Sequence, residues 1–353
     1  MDGVSAWTIE EWPLREQPDQ LLAEIYDVLA PLHAEAVPED PRQPLAAKIA
    51  EMRHLPEPED GIQLIARSAD GHIDGVSSCW WEALPGWDHV LSTGIQVLPG
   101  ARRQGLGRLL LDRSVQIAER RGLRLIMGRS RANVPSGAAF CTRFGAEQAM
   151  TAEENRQDLR AVDQALVDRW IAGGPRSAPG YRLQFVAGAT PQDLAGQVAA
   201  VLNVMNTAPR ENLDVSDTAV TPELLRAYEA AAAAAGEQRW AYYAVEEATG
   251  EFVGLTDITL RPGSPDRVWV GDTAVEPARR GLGLGKWLKA AITRRILDEL
   301  PDVRWVITHN AGSNAPMLGI NRALGFRVAA VMTTWQIPAK RLREQLELTT
   351  GRV

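Results

Sequence analysis

The chain has 353 residues, of which 45% are hydrophobic and 24% are charged, a balance typical of soluble globular proteins. At about 150 residues per domain, this length predicts two domains, each large enough to bury its own core. The net charge of −7 argues against a nucleic-acid partner, because nucleic-acid-binding domains normally carry a basic surface.

The predicted elements follow the same order in each half of the chain. The first half begins with the strand "AWTIEEW" and two helices, followed by the strands "GIQLIARS", "HIDGVSSCWW" and "HVLSTGIQV". A helix ("RLLLDRSVQIAERRG"), a strand ("LRLIMGRS"), a short helix and a last strand follow. The second half repeats the order, and Thr221 with Pro222 marks the N-terminus of its second helix. We therefore expect an α+β fold, in which each mixed, mostly antiparallel sheet is flanked by helices.

An internal duplication explains this repeated order. Val97 and Val275 stand 178 residues apart (275 − 97), and so do the prolines, arginines and glycines that follow them. Gly145 and Gly325 repeat with an offset of 180. Such landmarks at near-constant spacing indicate two copies of one domain. We predict an N-terminal domain at 1–172, a glycine- and proline-rich linker at 173–180, and a C-terminal domain at 181–353.

Each copy contains a glycine-rich string between a strand and a helix, "VLPGARRQGLG" (97–107) and "VEPARRGLGLG" (275–285). Such a corner presents unpaired backbone N–H groups beside arginines and favours a phosphate ligand, although a tight turn is the simpler explanation of one copy alone. A P-loop is excluded because Trp287, not a hydroxyl residue, follows Lys286. A dinucleotide fingerprint is excluded because neither string has its third glycine.

The strings, each followed by helix, strand and a short helix ending in "RFG" or "LGF", resemble the GNAT N-acetyltransferase family. The resemblance covers both copies and is strengthened by "SNAPMLGINRALGF" in the second. The tandem arrangement is also similar to that of mycothiol synthase, without indicating the substrate. The family's loop amides bind the diphosphate of acetyl-CoA, so the resemblance implies acetyl-CoA as the acyl donor.

Carried over residue by residue, the resemblance implies a CoA site in each copy. In the second copy the implied contacts are Thr273, Ala274, Val275, Arg280, Gly281, Leu282, Gly283, Leu284, Gly285, Lys286 and Asn314. In the first copy they are Ile95 to Val97 on the strand and Arg102, Arg103, Gln104, Gly105, Leu106 and Gly107 in the loop.

The expected general acid is missing from both copies. Many family members place a tyrosine four residues before the final glycine, where Asn321 and Cys141 stand here. Tyr242 or Tyr243, on a neighbouring strand, is a candidate replacement. For the base that deprotonates the attacking amine, the candidates are Asp257 and Asp272, on strands that line the acceptor cleft in this fold. Each carboxylate is also consistent with a merely solvated strand face.

The segment "RENLDVSD" carries the acids Glu211, Asp214 and Asp217 between the first two helices of the second copy. In this fold that loop covers the acceptor site, so we expect the three acids to bind a cationic amine. A solvated loop with helix caps is the alternative interpretation.

We therefore predict an acyl-CoA-dependent N-acetyltransferase that acts by direct attack of a small, cationic amine. We favour the second copy as the catalyst, because Arg103 replaces Gly281 in the first; the first copy would bind CoA weakly or serve structure. A protein that senses acyl-CoA without turnover, and an acetyltransferase of a protein or peptide amine, remain as alternatives.

The remaining expectations concern compartment and partners. The two cysteines have no close cysteine partner, which suggests a reducing compartment and no metal site. The N-terminal sequence lacks the basic start of a signal peptide, and no run of about 18 apolar residues predicts a membrane span. We expect a cytoplasmic monomer or homodimer with no membrane partner.

Overall fold

The computed structural model describes residues 6–350 of the chain. It contains two compact units. Unit 1 comprises the chain up to Thr151, the loop Glu211–Ser216, and the chain from Met332 onward. Unit 2 comprises Ala152–Arg210 and Asp217–Val331. The units therefore differ from the domains predicted at 1–172 and 181–353. The end of the first half, from Ala152, belongs to unit 2, and the end of the second half, from Met332, belongs to unit 1.

The sheet of unit 1 has the order β1-β2-β3-β4-β5-β12. Its strands are β1 (Trp7–Pro13), β2 (Glu59–Ser68), β3 (Ile73–Glu82), β4 (Val90–Val97), β5 (Leu125–Arg131) and the second half of β12 (Arg327–Pro338). Neighbouring strands are antiparallel except β4 and β5, which pair in parallel.

The helices of unit 1 pack on this sheet around one core. They are α1 (Asp19–Val28), α2 (Ala30–Ala36), α3 (Leu45–Arg53), α4 (Leu106–Arg121), α5 (Pro135–Arg143) and α11 (Ala339–Thr350). The core joins the apolar face of α4, including the fully buried Leu110 and Val115, to Ile337, Leu342 and Leu346 near the C-terminus. The sequence predicted two helices between β1 and β2, where the structure has three, and it did not predict α11.

The sheet of unit 2 has the order β6-β11-β10-β9-β8-β7. Its strands are the second half of β6 (Glu147–Asp158), β7 (Tyr181–Ala187), β8 (Gln238–Glu246), β9 (Phe252–Leu260), β10 (Arg267–Val275) and β11 (Trp305–Ala311). Only β10 and β11 pair in parallel among the described pairs of this sheet.

The helices of unit 2 are α6 (Gln164–Ser177), α7 (Ala195–Leu202), α8 (Pro222–Ala234), α9 (Leu284–Glu299) and α10 (Ala315–Ala323). The sequence signal for α8 is confirmed, since the Thr221 hydroxyl accepts a hydrogen bond from the Leu224 N–H at 3.2 Å. α9 is buried along most of its length and packs on β9 and β8.

The stretch 173–180, predicted as a linker, is helical up to Ser177. Asp163 caps the N-terminus of α6 by accepting a hydrogen bond from the Leu166 N–H at 2.9 Å. Gly174 packs so closely on α9 that an added Cβ would lie 2.2 Å from the Trp287 indole. The glycine thus permits close helix packing, a role that sequence alone does not distinguish from a flexible linker.

The predicted α+β class, with mostly antiparallel mixed sheets, is confirmed. Cys79 is buried and Cys141 half-buried, and neither forms a disulfide. Among the described residues no helix has both the length and the apolarity to cross a bilayer. Within the same residues no three metal-ligating side chains lie close enough together to hold an ion.

Candidate active site

The glycine strings form the same corner in both units. Gly283 precedes α9 with a φ of +85°, and Gly105 precedes α4 with a φ of +96°. No side chain caps either helix N-terminus, so the first-turn N–H groups face outward beside positive charge. Unpaired N–H groups at a helix N-terminus beside arginines favour a phosphate ligand.

The first arginine of each loop is tied to the preceding strand. Arg280 donates from Nε to the Val275 carbonyl at 3.0 Å, and Arg102 donates to the Val97 carbonyl at 3.1 Å. The next position requires a left-handed backbone in both loops. Gly281 adopts a φ of +85°, whereas Arg103 adopts +63° at a cost of about 1 kcal/mol. The first copy therefore keeps the loop shape despite its arginine.

A cleft opens in each sheet next to these loops. β10 pairs with β11 from Arg267 to Trp269, and β4 pairs with β5 from Val90 to Ser92; beyond these residues the parallel strands diverge. Thr273, Ala274 and Val275 lie on the diverging part of β10, as Ile95 to Val97 do on β4. Their backbone groups on the open side are available to a ligand's amides.

The other residues implied for CoA have additional contacts. Lys286 lies in the first turn of α9 with its Nζ 5.6 Å from the centre of the Trp170 ring. Gln104 donates to the Gly100 carbonyl at 2.7 Å. Asn314 caps α10 by accepting from the Met317 N–H at 3.4 Å. Asn314 therefore stabilises the helix that follows the cleft.

A β-bulge in unit 2 distinguishes the two clefts. Val270 pairs with Ile258 and Thr273 with Thr256, so Gly271 and Asp272 lie opposite one residue, Asp257. The Asp272 N–H, which the bulge leaves without a ladder partner, donates to Asp257 Oδ1 at 2.6 Å. Gly271 is required here because an added Cβ would lie 2.5 Å from the same oxygen.

The Asp257 carboxylate is held on both oxygens. Arg239 donates from Nε to Oδ2 at 2.5 Å, and its Nη1 donates to the buried Tyr243 hydroxyl at 2.9 Å. Because Asp257 is 7% exposed and fully engaged, it is a fixed acceptor for the bulge rather than a mobile base. Arg239 and Gly271 were not among the sequence candidates.

Asp272 has the altered acidity of a candidate base. Burial and the nearby negative charge of Asp257 raise the pKa of Asp272 to about 6, against the opposing effect of Arg239. Beneath the cleft, burial lowers the pKa of Lys289 on α9 to about 8, while the Asp257 charge acts against this shift. Lys289 Nζ lies 5.0 Å from the centre of the Phe326 ring.

The two tyrosines have separate environments. Asp257 pairs with Ala241 across the β8–β9 ladder, so alternation places Tyr243 on the face of Asp257 and Tyr242 on the opposite face. The Tyr242 hydroxyl accepts from Arg295 Nε at 2.9 Å. Only Tyr243 therefore joins the Asp257 network.

Unit 1 lacks this charged network. Counting from the matched pairs Gly75–Val97 and Gly254–Val275, Ser78 replaces Asp257 and Gly94 replaces Asp272. The β3–β4 ladder runs in unbroken register from Gly75 to Trp80. Ser78 donates a hydrogen bond to Gln63 Oε1 at 2.9 Å. On the opposite face of β3, Ser77 and Cys79 form a separate group of hydroxyls and a thiol with Thr93 and Ser114.

The cleft of unit 1 is instead a basic cavity of about 590 Å³. It is bounded by α2, the end of β4, the glycine loop, the end of β5 and α5. Arg102 in its loop makes a bidentate ion pair with Glu35 of α2, with N–O distances of 2.9 and 2.5 Å. The pair lowers the pKa of Glu35, so this carboxyl stays charged at neutral pH.

Asn321 and Cys141, which occupy the positions of the family's tyrosine, are poor proton donors for a leaving thiolate. Asn321 is buried on α10 and donates from Nδ2 to Asn310 Oδ1 at 2.8 Å. Burial raises the pKa of Cys141 to about 11. His309 lies beside Asn310 on β11, with Nε2 3.6 Å from a Glu154 carboxylate oxygen.

The three acids expected to bind the acceptor are divided between the units. Glu211 and Asp214 belong to unit 1, where Glu211 Oε2 accepts from the Thr151 N–H at 3.1 Å and the Asp214 carbonyl contacts His89 Nε2 at 2.9 Å. Asp217 belongs to unit 2 and makes an ion pair with Arg210. The three acids therefore belong to two different units.

Comparison with known proteins agrees with this geometry. The model of the acetyltransferase (GNAT) family matches residues 22–146 and 206–326, once in each half. The mycothiol acetyltransferase of Geodermatophilus obscurus is 33% identical over 153 residues, which are 43% of this chain. The aligned part spans about half of that relative, 47% of its length.

Solved structures resemble this chain over most of its length. A tandem GNAT protein from the clavulanic acid biosynthesis pathway superposes with a TM-score of 0.76 at 25% identity, covering 94% of this chain and 99% of its own. A GCN5-related N-acetyltransferase from Sphaerobacter thermophilus gives 0.64 at 16% identity, covering 95% and 96% of the two chains. The second likeness is one of fold alone.

Proposed function

Since the chain belongs to the acetyltransferase (GNAT) family, we propose that unit 2 transfers the acetyl group of acetyl-CoA to a small, cationic amine. The family implies acyl-CoA-dependent acetyl transfer in general. The site residues below, and the acceptor class, are the specific part of the proposal.

The α9 corner positions the donor. First-turn N–H groups from Leu284 onward, with Arg280, bind the diphosphate, and the open edge of β10 at Thr273–Val275 binds the pantetheine amides. This arrangement directs the thioester towards the point where β10 leaves β11, next to Asp272. Both substrates are then held at one place, which removes much of the entropic barrier to attack.

Asp272 is the proposed base. It accepts a proton from the ammonium group of the acceptor, and the neutral nitrogen attacks the thioester carbonyl carbon. A backbone N–H of the opened strand stabilises the oxyanion. The C–S bond then breaks, CoA leaves as a thiolate, and the nitrogen loses its second proton to water. With a pKa of about 6, Asp272 is mostly ionised at neutral pH and ready for this role.

Departure of CoA does not require the missing tyrosine. A thiol with a pKa near 8.5 is a good leaving group and takes its proton from water. Asn310, oriented by Asn321, is suitably placed on β11 to donate a hydrogen bond to the developing thiolate. Tyr242 is not part of this proposal, because Arg295 holds its hydroxyl on the opposite face of the sheet.

The observation that supports catalysis in unit 2 is the bulge at Gly271 and Asp272, fixed by Asp257 and Arg239. The equivalent strand of unit 1 has neither the bulge nor the carboxylates, although its loop has the same shape. Unit 1 is therefore proposed to bind a CoA compound without turnover. The same contrast favours an enzyme over a protein that only senses acyl-CoA, since sensing needs no base.

The experiment measures free thiol released from acetyl-CoA in the presence of a panel of small amines and peptides. We expect Gly283→Glu to abolish release and Gly105→Glu, the matched substitution in unit 1, to preserve most of it. Asp272→Asn is expected to lower kcat by about 100-fold, within the range typical of a lost general base. Full activity of Gly283→Glu, or release only with peptides, would contradict the proposal.

A further inference from the structure

We propose that His309 of β11 takes the second proton from the acceptor nitrogen in unit 2, and that Glu154 of β6 positions its ring. The inference rests on the acetyl transfer proposed for unit 2, in which an ammonium acceptor loses two protons. Asp272 takes the first of them. Because a protonated carboxyl group cannot accept another proton, the second one needs a different acceptor, and histidine is the side chain that most readily takes and releases a proton near neutral pH.

His309 lies where the two parallel strands of unit 2 separate. The last described pair between β10 and β11 joins Trp269 to Ile307. His309 follows Ile307 by two residues on β11, and Asp272 follows Trp269 by three residues on β10. The His309 side chain is 46% exposed, so both a ligand in the cleft and the surrounding water have access to it.

Strand alternation places His309 on the face of the sheet that carries Asp257. His309 shares a face with Ile307, because the two residues are two positions apart on one strand. The pairs Ile307–Trp269 and Trp269–Thr259 extend that face across β10 to β9. Asp257 is two residues from Thr259, so it lies on the same face as His309.

Asp272 lies on this face too. The Thr273 hydroxyl contacts the Thr256 hydroxyl at 2.9 Å on the opposite face, and Asp272 is the neighbour of Thr273. Asp272 and His309 therefore border the opening from its two strands. Paired strands lie about 4.8 Å apart, and these two diverge from that spacing, so an acceptor nitrogen held in the opening lies between the two side chains.

A carboxylate on the neighbouring strand holds the histidine in place. Glu154 is the partner of His309 across the β11–β6 ladder, and its Oε2 lies 3.6 Å from His309 Nε2. Glu154 Oε1 accepts from Arg156 Nε at 2.8 Å and from its Nη2 at 2.5 Å, which fixes the carboxylate. At 3.6 Å the contact with His309 is electrostatic, and it favours a ring with its Nε2–H towards the carboxylate. Nδ1 is then the proton acceptor.

Unit 1 has different residues at the matched positions. β5 and β12 correspond to β11 and β6 at an offset of 180 residues, so Arg129 replaces His309 and Thr334 replaces Glu154. Arg129 and Thr334 pair across their ladder as His309 and Glu154 do. A guanidinium stays protonated at neutral pH, so it cannot take a proton from an amine. The fold thus does not require the histidine–glutamate pair, which occurs in the unit that also carries Asp272.

The proton transfers balance in this scheme. Attack joins the neutral nitrogen to the thioester carbon and leaves the nitrogen positively charged. The C–S bond breaks, and CoA leaves as a thiolate with the bonding electrons. The N–H bond then breaks, its electrons stay on the amide nitrogen, and His309 Nδ1 takes the proton. The imidazolium releases this proton to water, so His309 carries it from the cleft to the solvent.

The test follows formation of the acetylated amine by full-length protein, with the amine of the panel above that gives the highest wild-type rate. His309→Gln should lower kcat by about 100-fold, the lower end of the range for a positioned proton acceptor, and leave KM for acetyl-CoA within about threefold. His72→Gln is the matched control and should keep the wild-type rate. His72 Nε2 also lies 3.6 Å from a carboxylate, that of Asp70, but on the exposed turn between β2 and β3.

Two further readouts separate proton transfer from a structural role. Free imidazole should raise the rate of His309→Ala at least about tenfold and leave the wild-type rate unchanged. The acetylated amine is measured here because imidazole itself reacts with thioesters. Glu154→Gln should lower kcat by about tenfold in the wild-type background and cause no further loss in His309→Gln, because it acts through the histidine.

A wild-type rate for His309→Gln would overturn the role of His309. A loss that imidazole does not restore, and that adds to the loss caused by Glu154→Gln, would also overturn it, since both changes would then act on structure alone. Either result leaves the acetyl transfer of unit 2 standing. Absence of acetylated amine with wild-type protein would overturn both proposals. His309→Asn replaces His309→Gln if circular dichroism shows that variant to be unfolded.

Discussion

Replacement of Gly271 by alanine tests whether the bulge of β10 organises the site. The new methyl group would lie 2.5 Å from Asp257 Oδ1, closer than real Cβ contacts allow, and 3.2 Å from its Cγ, a tight contact. The carboxylate cannot yield freely, because Arg239 holds its other oxygen at 2.5 Å. We therefore expect the Asp272 N–H to lose its 2.6 Å hydrogen bond.

A lost hydrogen bond to a charged group corresponds to about 2 kcal/mol, because a half-buried donor is left without a partner. Gly271→Ala should lower the free energy of unfolding by that amount and, by displacing Asp272, lower kcat/KM by about 10- to 100-fold. Urea denaturation and thiol release measure the two effects. Gly94→Ala is the control, since its Cβ meets no atom within 4 Å. If Gly271→Ala behaved like Gly94→Ala in both assays, the proposed role of the bulge would be wrong.

Three further predictions concern charge and backbone. First, kcat/KM should rise with pH through about 6 as Asp272 ionises, and Asp257→Asn should lower that midpoint by removing a repelling charge; a pH–rate profile measures both. Second, the Lys289 pKa is about 8 when folded and 10.5 as the ordinary value, so the unfolded state binds more protons between these pH values and stability should rise with pH across them. Lys289→Met should raise the free energy of unfolding by about 3 kcal/mol at pH 7 and less at pH 10, as urea denaturation would show. Third, Arg103→Gly should raise the free energy of unfolding of unit 1 by about 0.5–1 kcal/mol, because glycine adopts the left-handed backbone of this position without steric strain. Urea denaturation measures this change.

The parts of the site that sequence predicted are those fixed by local chemistry. The loop glycines adopt positive φ because the strand must turn directly into a helix, and the surrounding residues repeat at constant spacing. Thr221 likewise predicts the start of α8, because its hydroxyl accepts a hydrogen bond from the N–H of Leu224, three residues later. Requirements of this kind depend on residues that are close in sequence, so they can be predicted from it. The duplication strengthens the prediction because the same residues occur in both copies.

The bulge was missed because it is a difference between the copies rather than a repeat. β10 has nine residues and β4 has eight, so the offset between matched residues changes from 177 at Ser92 and Trp269 to 178 at Val97 and Val275. That one-residue change was the available signal. Arg239 gave no signal of its own, because its role depends on pairing across two strands that only the folded sheet brings together.

The sequence also did not predict that the last strand of each repeat, β6 or β12, completes the sheet of the other unit. Because the two repeats are similar, either last strand is an equivalent partner for either sheet. Its consequence is testable by shortening the chain. Residues from Met332 onward supply unit 1 with the buried side chains Trp335, Ile337, Leu342 and Leu346. At about 1.5–3 kcal/mol for each buried side chain, their removal costs about 6–12 kcal/mol, comparable to the stability of a whole domain.

A chain ending at Val331 should therefore lose the fold of unit 1, although every residue of the first repeat is present. Hydrogen exchange should show unprotected amides in α4, while α9 of unit 2 stays protected. A chain ending at Glu347 is the control, because it keeps Leu346 and removes Leu348, which is 65% exposed. Protection of α4 in the shorter chain would mean that the first repeat completes its own sheet, and the assignment of the last strand to unit 1 would then have to be abandoned.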